Sequence, residues 1–182
     1  EFGNRLMAEN MNIPWVGVYM KIKNEAIERL FYNLRTKQGA KLIAAQEFRS
    51  KSHNILKTPY ALGLVADQNP GAPNSSYWLN FFGKPVPFII GPDRWAVRNN
   101  TVVVFAELIN LKRGYYRFVP TVITENAGSY KPGELTLLYR DYLEDSIRRH
   151  PDNYLWSHNR WKWTFDPAYK KWWIDRDPPP GD

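Results

Sequence analysis

Residues 61–83, ALGLVADQNPGAPNSSYWLNFFG, decide how the chain is read. Six apolar or small residues, 61–66, run into Asp67 and Gln68. A loop rich in Asn, Pro, Gly and Ser follows and closes on Tyr77, Trp78, Phe81, Phe82 and Gly83. As a short buried strand, the apolar run delivers an acid and an amide to its carboxyl end, where open α/β sheets gather ligands. Without a ligand, the same residues make a buried strand followed by an ordinary turn.

Upstream, residues 15–22 (WVGVYMKI) are β-branched and aromatic and follow Pro14, which predicts a strand. Asn24 then suits a helix N-cap, with Glu25 and Glu28 in the first turn, where the helix dipole favours acids. Ile27, Leu30, Phe31 and Leu34 recur at helical spacing and predict a core-facing stripe. Arg35, Lys37 and Gly39 mark the stop. Residues 41–45 read as a second strand, 47–56 as a polar and partly helical segment, and 61–66 as the third strand. The alternation predicts an α/β fold with a mixed, largely parallel sheet flanked by helices.

Downstream, Gly91, Pro92 and Asp93 open a helix that stops at Asn99 and Asn100. Residues 101–108 and 115–123 read as strands joined by a hairpin turn at Lys112, Arg113 and Gly114. The longest helix covers 134–149, with Leu135, Leu138, Tyr142 and Ile147 along one face, and Pro151 ends it. One domain is expected over residues 1–174, followed by a disordered tail, 175–182. The chain opens on Glu1, Phe2, Gly3 and Asn4 without an initiator Met, and is expected to be a piece of a longer protein, incomplete at its N-terminus.

With 25 Lys and Arg against 18 Asp and Glu, the charge of +7 favours anionic partners: nucleic acid, an anionic membrane surface or phosphorylated ligands. The absence of cysteine excludes disulfides, thiolate metal sites and Cys nucleophiles. The histidines are His53, His150 and His158. The longest apolar run, near 102–106, is far short of the ~20 residues of a membrane-spanning helix. Trp156, Trp161, Trp163, Trp172 and Trp173 alternate with Arg160, Lys162, Lys170 and Lys171. Such a mixture suits a membrane boundary or a stacked single strand, and equally suits packing of the last segment onto the sheet.

Ala66, Asp67 and Gln68; Phe81, Phe82 and Gly83; Leu143 and Glu144 with Ile147 and Arg148; and Pro151, Asn153 to Trp156, His158 and Arg160 to Lys162 form an ordered series. With the Lys112–Tyr116 hairpin, it strongly resembles the bacterial lipid A biosynthesis acyltransferases, the late lauroyl and myristoyl transferase family. The resemblance runs from Phe2 to Trp163. It implies a glycerolipid acyltransferase-like fold at the cytoplasmic face of the inner membrane, serving lipopolysaccharide synthesis. A fatty acyl group would pass from acyl carrier protein, or a similar thioester donor, to a hydroxyl of a lipid A precursor. No cofactor, metal or nucleic acid is expected. The alternatives are a lysophospholipid acyltransferase and a catalytically dead module that binds anionic lipid.

The family's chemistry rests on His-x4-Asp/Glu, in which the imidazole takes the acceptor's proton and the acid orients the imidazole. Phe2, Gly3 and Asn4 fit that frame, which puts Glu1 at the base position and Leu6 at the acid position. Neither supplies the required group, and no other histidine is followed by an acid five positions on. The catalytic pair is therefore expected to be incomplete and the chain inactive. For substrate binding, the resemblance points to Arg49, to Asp67 and Gln68 on the floor of a lipid cleft, to Phe81, Phe82 and Gly83 along the acyl path, and to His158 and Arg160. Of the last two, Arg160 suits phosphate, because its planar fork can bind two oxygens at once. Asp67 also suits a turn cap, and His158 a hydrogen-bonded structural role.

Overall fold

In a computed structural model of the chain, which describes residues 2–55 and 57–181, a three-stranded parallel sheet fills the first of two units, Glu1–Val65. Helix α1 (Phe2–Asn10) leads into the central strand β1 (Trp15–Tyr19). Helix α2 (Glu25–Thr36) crosses to β2 (Lys41–Ala44), and α3 (Phe48–Ile55) crosses to β3 (Ala61–Gly63). The order is β2-β1-β3, and parallel neighbours need crossovers of this kind. Asn4 ties α1 down, donating from Nδ2 to the Arg35 carbonyl (3.0 Å) and accepting at Oδ1 from the Trp15 indole N–H (2.7 Å).

The α2 cap matches its sequence signal: Asn24 Oδ1 accepts from the N–H groups of Ala26 (3.0 Å) and Ile27 (3.1 Å). Two other expectations fail here. Strand β1 stops at Tyr19 instead of residue 22, because Glu28 draws the chain out of the sheet. Its carboxylate accepts from the Ile22 N–H and the Tyr19 hydroxyl, both at 2.8 Å, and these bonds hold it below its usual carboxylate range. Three residues of the predicted core stripe also stay outside: Ile27, Leu30 and Leu34 are exposed, Phe31 is half-buried, and no residue of α2 is fully buried. The sheltered row is Glu28, Phe31 and Arg35, with the Arg35 guanidinium over the rings of Tyr19 and Phe31.

The third strand is shorter than expected. It ends at Gly63, is half-buried throughout, and leaves Leu64 and Val65 exposed. A Cβ at Gly63 would come within 2.3 Å of the Trp15 ring, so β3 lies this close to the indole only as glycine.

The second unit, Ala66–Asp182, is built on antiparallel hairpins. Strands β4 (Tyr77–Phe81) and β5 (Lys84–Phe88) are joined through Phe82 (φ 51°) and Gly83 (φ 73°), a left-handed pair that matches the twist of the strands. Side chains of β4 alternate between two faces. On one, Leu79 and Phe81 join Val86 and Phe88 against Leu143 and Ile147 of helix α5 (Glu134–Arg149). On the other, Trp78 stacks on Tyr169 and meets Phe165 edge-on. The inward row of α5 passes through Leu135, Leu143 and Ile147, while Leu138 is exposed.

Helix α4 (Gly91–Asn99) ends at Asn100 (φ 47°), as its sequence suggests. Its buried Asp93 accepts from the N–H groups of Gly133 and Thr136 at the start of α5, and burial pushes this carboxyl up. Strands β6 (Val103–Lys112) and β7 (Tyr115–Thr124) form the second hairpin. The fold is thus mixed α/β with a small parallel sheet. Its other four strands pair antiparallel in hairpins of their own, because tight turns at Phe82 and Gly83 and at Arg113 and Gly114 leave no room for crossovers.

Candidate functional site

Asn69, the residue directly after the Asp67 and Gln68 pair, commits its polar groups to the C-terminal segment. Its backbone N–H donates to His158 Nε2 (2.7 Å), and its Nδ2 donates to the Asn159 carbonyl (2.8 Å). Its Oδ1 accepts from Arg160 Nη1 (2.9 Å). Asn159 itself takes the left-handed conformation (φ 52°) that turns its carbonyl toward the loop. These contacts clamp the loop that follows β3 onto the segment carrying the family's last motif.

Arg160 is 1% exposed. Its Nη2 donates to the Pro87 carbonyl on β5 (2.9 Å), and its guanidinium carbon lies 4.3 Å from the centre of the Phe88 ring. Burial pushes the guanidinium down to about 10, which leaves it charged at neutral pH. Each terminal nitrogen donates to a protein acceptor, so the buried Arg160 braces the loop against the β5 edge. His158 likewise accepts a backbone N–H at Nε2, a contact that suits a hydrogen-bonded structural histidine.

Asp67 is half-buried, and its main-chain carbonyl accepts a long bond from the Tyr154 hydroxyl (3.4 Å). Burial raises the phenols of Tyr139 and Tyr154, and the Asp67 charge adds to that rise. Gln68 is exposed. Phe81 is wholly buried, stacked on Trp161 and edge-on to Phe88. Phe82 and Gly83 form the turn, where the Phe82 N–H donates to Glu144 Oε1 (2.7 Å). Arg148 pairs with the same carboxylate (2.7 Å) and covers the Phe82 ring. The Glu144 and Arg148 motif therefore secures an aromatic residue in a conformation that bulky side chains rarely adopt.

In the first unit, Leu6 lies exposed on α1 and Arg49 exposed on α3; Glu1 lies outside the described residues. Of the tryptophan-rich run, Trp161, Trp163, Trp172 and Trp173 are half-buried, while Trp156 is exposed. Packing accounts for four of these rings. Reading the sequence alone passed over Asn69; its place before Pro70, in a loop that must turn, was the available signal.

Beyond the clamp, Asp175 ties the end of the chain to β4. Its carboxylate accepts from the Asn80 N–H (2.7 Å) and from Arg140 Nη1 (3.0 Å). Burial pushes this group up, but those two partners outweigh it and hold the carboxyl below its ordinary range. A carboxyl lowered in the folded state adds stability above its unfolded pKa and loses it as pH falls through the folded value. Asp175→Asn should therefore cost roughly 1–2 kcal/mol at pH 7, with the deficit closing as pH falls below the ordinary carboxylate range. Urea midpoints of both proteins across that range measure it; a deficit unchanged at low pH would contradict the assignment.

Among the described residues, no helix is long and apolar enough to cross a membrane. No curated protein matches the chain. The family model described as bacterial lipid A biosynthesis acyltransferase matches residues 1–163 of the 182. That span takes in the parallel sheet, the Phe82 turn with its Glu144 and Arg148 support, and the His158 to Arg160 clamp on Asn69. The chain belongs to the bacterial lipid A biosynthesis acyltransferase family.

Proposed function

We propose that the reaction of this chain is transfer of a fatty acyl group from an acyl carrier protein thioester to a hydroxyl of a lipid A precursor, at the cytoplasmic face of the inner membrane. The family match across residues 1–163 is the observation that carries this reading. In such a transfer the acceptor oxygen attacks the thioester carbonyl carbon and the C–S bond breaks. The base that takes the hydroxyl proton hands it to the departing thiolate, leaving an ester and a free thiol. Arg49 on α3, and separately Gln68 with Asp67 just before it, are the exposed or half-buried candidates for contact with substrate.

The base and its orienting acid are what this chain lacks. The family's frame falls on Glu1 and Leu6. A carboxylate ionised near neutral pH is too weak a base for an alcohol, and leucine has no polar atom to hold an imidazole. His158 cannot substitute while its Nε2 accepts from Asn69. Incubated with lauroyl- or myristoyl-charged carrier protein and a tetra-acylated lipid A precursor, the 182-residue chain should yield no product above the protein-free background. Turnover at the rate of a family member with an intact pair would overturn the inactivity. Preferential acylation of lysophosphatidic acid would overturn the acceptor.

A further inference from the structure

We propose that the tip of the β6–β7 hairpin, with Leu155 and Trp156 beside its anchor, is a docking element for an anionic lipid surface. From Asn110 to Arg117 (NLKRGYYR) every residue is exposed. The segment carries Lys112, Arg113 and Arg117 and no acid. Leu111 and Tyr115 are 52% and 60% exposed, and Lys112 Nζ lies 4.3 Å from the centre of the Tyr115 ring. Apolar and aromatic surface interleaved with cations is what the headgroup layer of an anionic bilayer accommodates.

The tip is also held in place. Asn153 Oδ1 accepts from the Asn110 N–H (3.1 Å), and Asn153 Nδ2 donates to the Leu108 carbonyl (2.8 Å), so the short turn after α5 grips the hairpin where exposure begins. Beyond Asn110 the strands run two or three residues to the turn, roughly 7–10 Å at strand rise, the depth to which interfacial elements enter a membrane. Two and three residues past Asn153, Leu155 and Trp156 are each more than half exposed. The Trp156 indole N–H is already satisfied by the Pro151 carbonyl (2.7 Å), which lets its ring enter an apolar layer without an orphaned donor. Asp152 is the one acid in residues 150–156.

Shape favours lipid over a protein partner. A stable protein interface takes about 20–30 residues a side, and a two-residue turn offers a point instead of a face. A headgroup layer demands no such complementary surface. Nor does the tip form the groove lined with stacking platforms that a single strand follows. The inference shares with the acyl-transfer reading the expectation of a lipid acceptor and of a membrane surface. Its test uses no acyl donor, so failure of one is distinguishable from failure of the other.

The 182-residue chain is sedimented with vesicles of phosphatidylcholine alone, or with about one lipid in three replaced by phosphatidylglycerol. Binding should need the anionic lipid. Lys112→Ser, Arg113→Ser and Arg117→Ser should each weaken it about fivefold, and the triple variant about a hundredfold. Tyr115→Ser and Trp156→Ser should each weaken it several-fold. A charge-matched control, Lys41→Ser with Lys84→Ser and Lys171→Ser, should lose less than a tenth as much as the tip variant. Equal losses in the two triple variants would overturn the proposal. So would indifference to the anionic lipid, or tip substitutions that abolish binding to a single-stranded oligonucleotide or to carrier protein while leaving vesicle binding intact.

Discussion

Replacing Arg160 with alanine should cost about 4 kcal/mol and lower the thermal midpoint by roughly 10 °C or more. The guanidinium donates to Asn69 Oδ1 and to the Pro87 carbonyl while lying on the Phe88 ring. Each hydrogen bond from a charged donor is worth roughly 1.5–3 kcal/mol, and the change leaves both acceptors unsatisfied in the interior. It also empties the volume beneath Phe81 and Phe88, which adds a cavity term. Against this stands the cost of holding a cation away from water with its Nε unpartnered, so the gain is less than the sum of the bonds. Lysine should restore less than half of the loss. One ammonium cannot readily reach two acceptors that Nη1 and Nη2 of a planar fork reach separately, and it stacks poorly on a ring. Thermal and urea unfolding of the three proteins measure this. A loss under about 1 kcal/mol for Arg160→Ala would mean that water replaces the guanidinium freely, and the clamp would not be structural.

The contrast between Asn24 and Glu28 shows what the sequence could reveal. Asn24 acts on N–H groups two and three residues ahead, so its cap was legible from neighbours alone. So were the Asn100 stop, the Arg113 and Gly114 turn and the full extent of α5. Glu28 reaches back to Tyr19 and Ile22, and nothing in a helical wheel says that an acid will take the sheltered side while Ile27, Leu30 and Leu34 face out. Periodicity locates an apolar stripe; it does not say that the sheet will turn toward it.

The site divides along the same line. The ordered motifs pick out stretches that the fold ties to distant partners, and what each side chain does depends on those partners. Arg160 has the chemistry of a phosphate ligand, yet in the fold it donates to residues 91 and 73 positions away. The resemblance puts Phe82 and Gly83 on an acyl path, and in the fold they form a left-handed turn that Glu144 and Arg148 hold from 62 and 66 positions beyond Phe82. The tryptophan run was ambiguous for the same reason. Composition cannot separate a ring that stacks on Phe81, as Trp161 does, from one that stands in water, as Trp156 does.

The double variant Glu1→His with Leu6→Glu should raise acyl transfer at least about 100-fold over the unmodified chain, with neither single change approaching it. An imidazole with a pKa near neutrality can accept the acceptor's proton as the carbonyl is attacked, a contribution of about 10²–10⁴. Its full value needs an acid to fix the tautomer and support the cation that forms, which is why removing the orienting acid of a triad costs about 10⁴. The two effects are conditional on each other, so His alone gives a fraction of the gain and Glu alone gives none. The local structure favours the attempt. Leu6 is exposed on α1, so a carboxylate there meets no desolvation cost, and glutamate is a good helix former. Asn4, within the same frame, fixes α1 through the Trp15 indole and the Arg35 carbonyl, so position 6 has a set direction. Labelled product formation from charged carrier protein measures the gain, with vesicle binding as a check on the fold. A double variant that binds vesicles like the parent yet transfers no faster would overturn the assignment of positions 1 and 6 to the base and the acid.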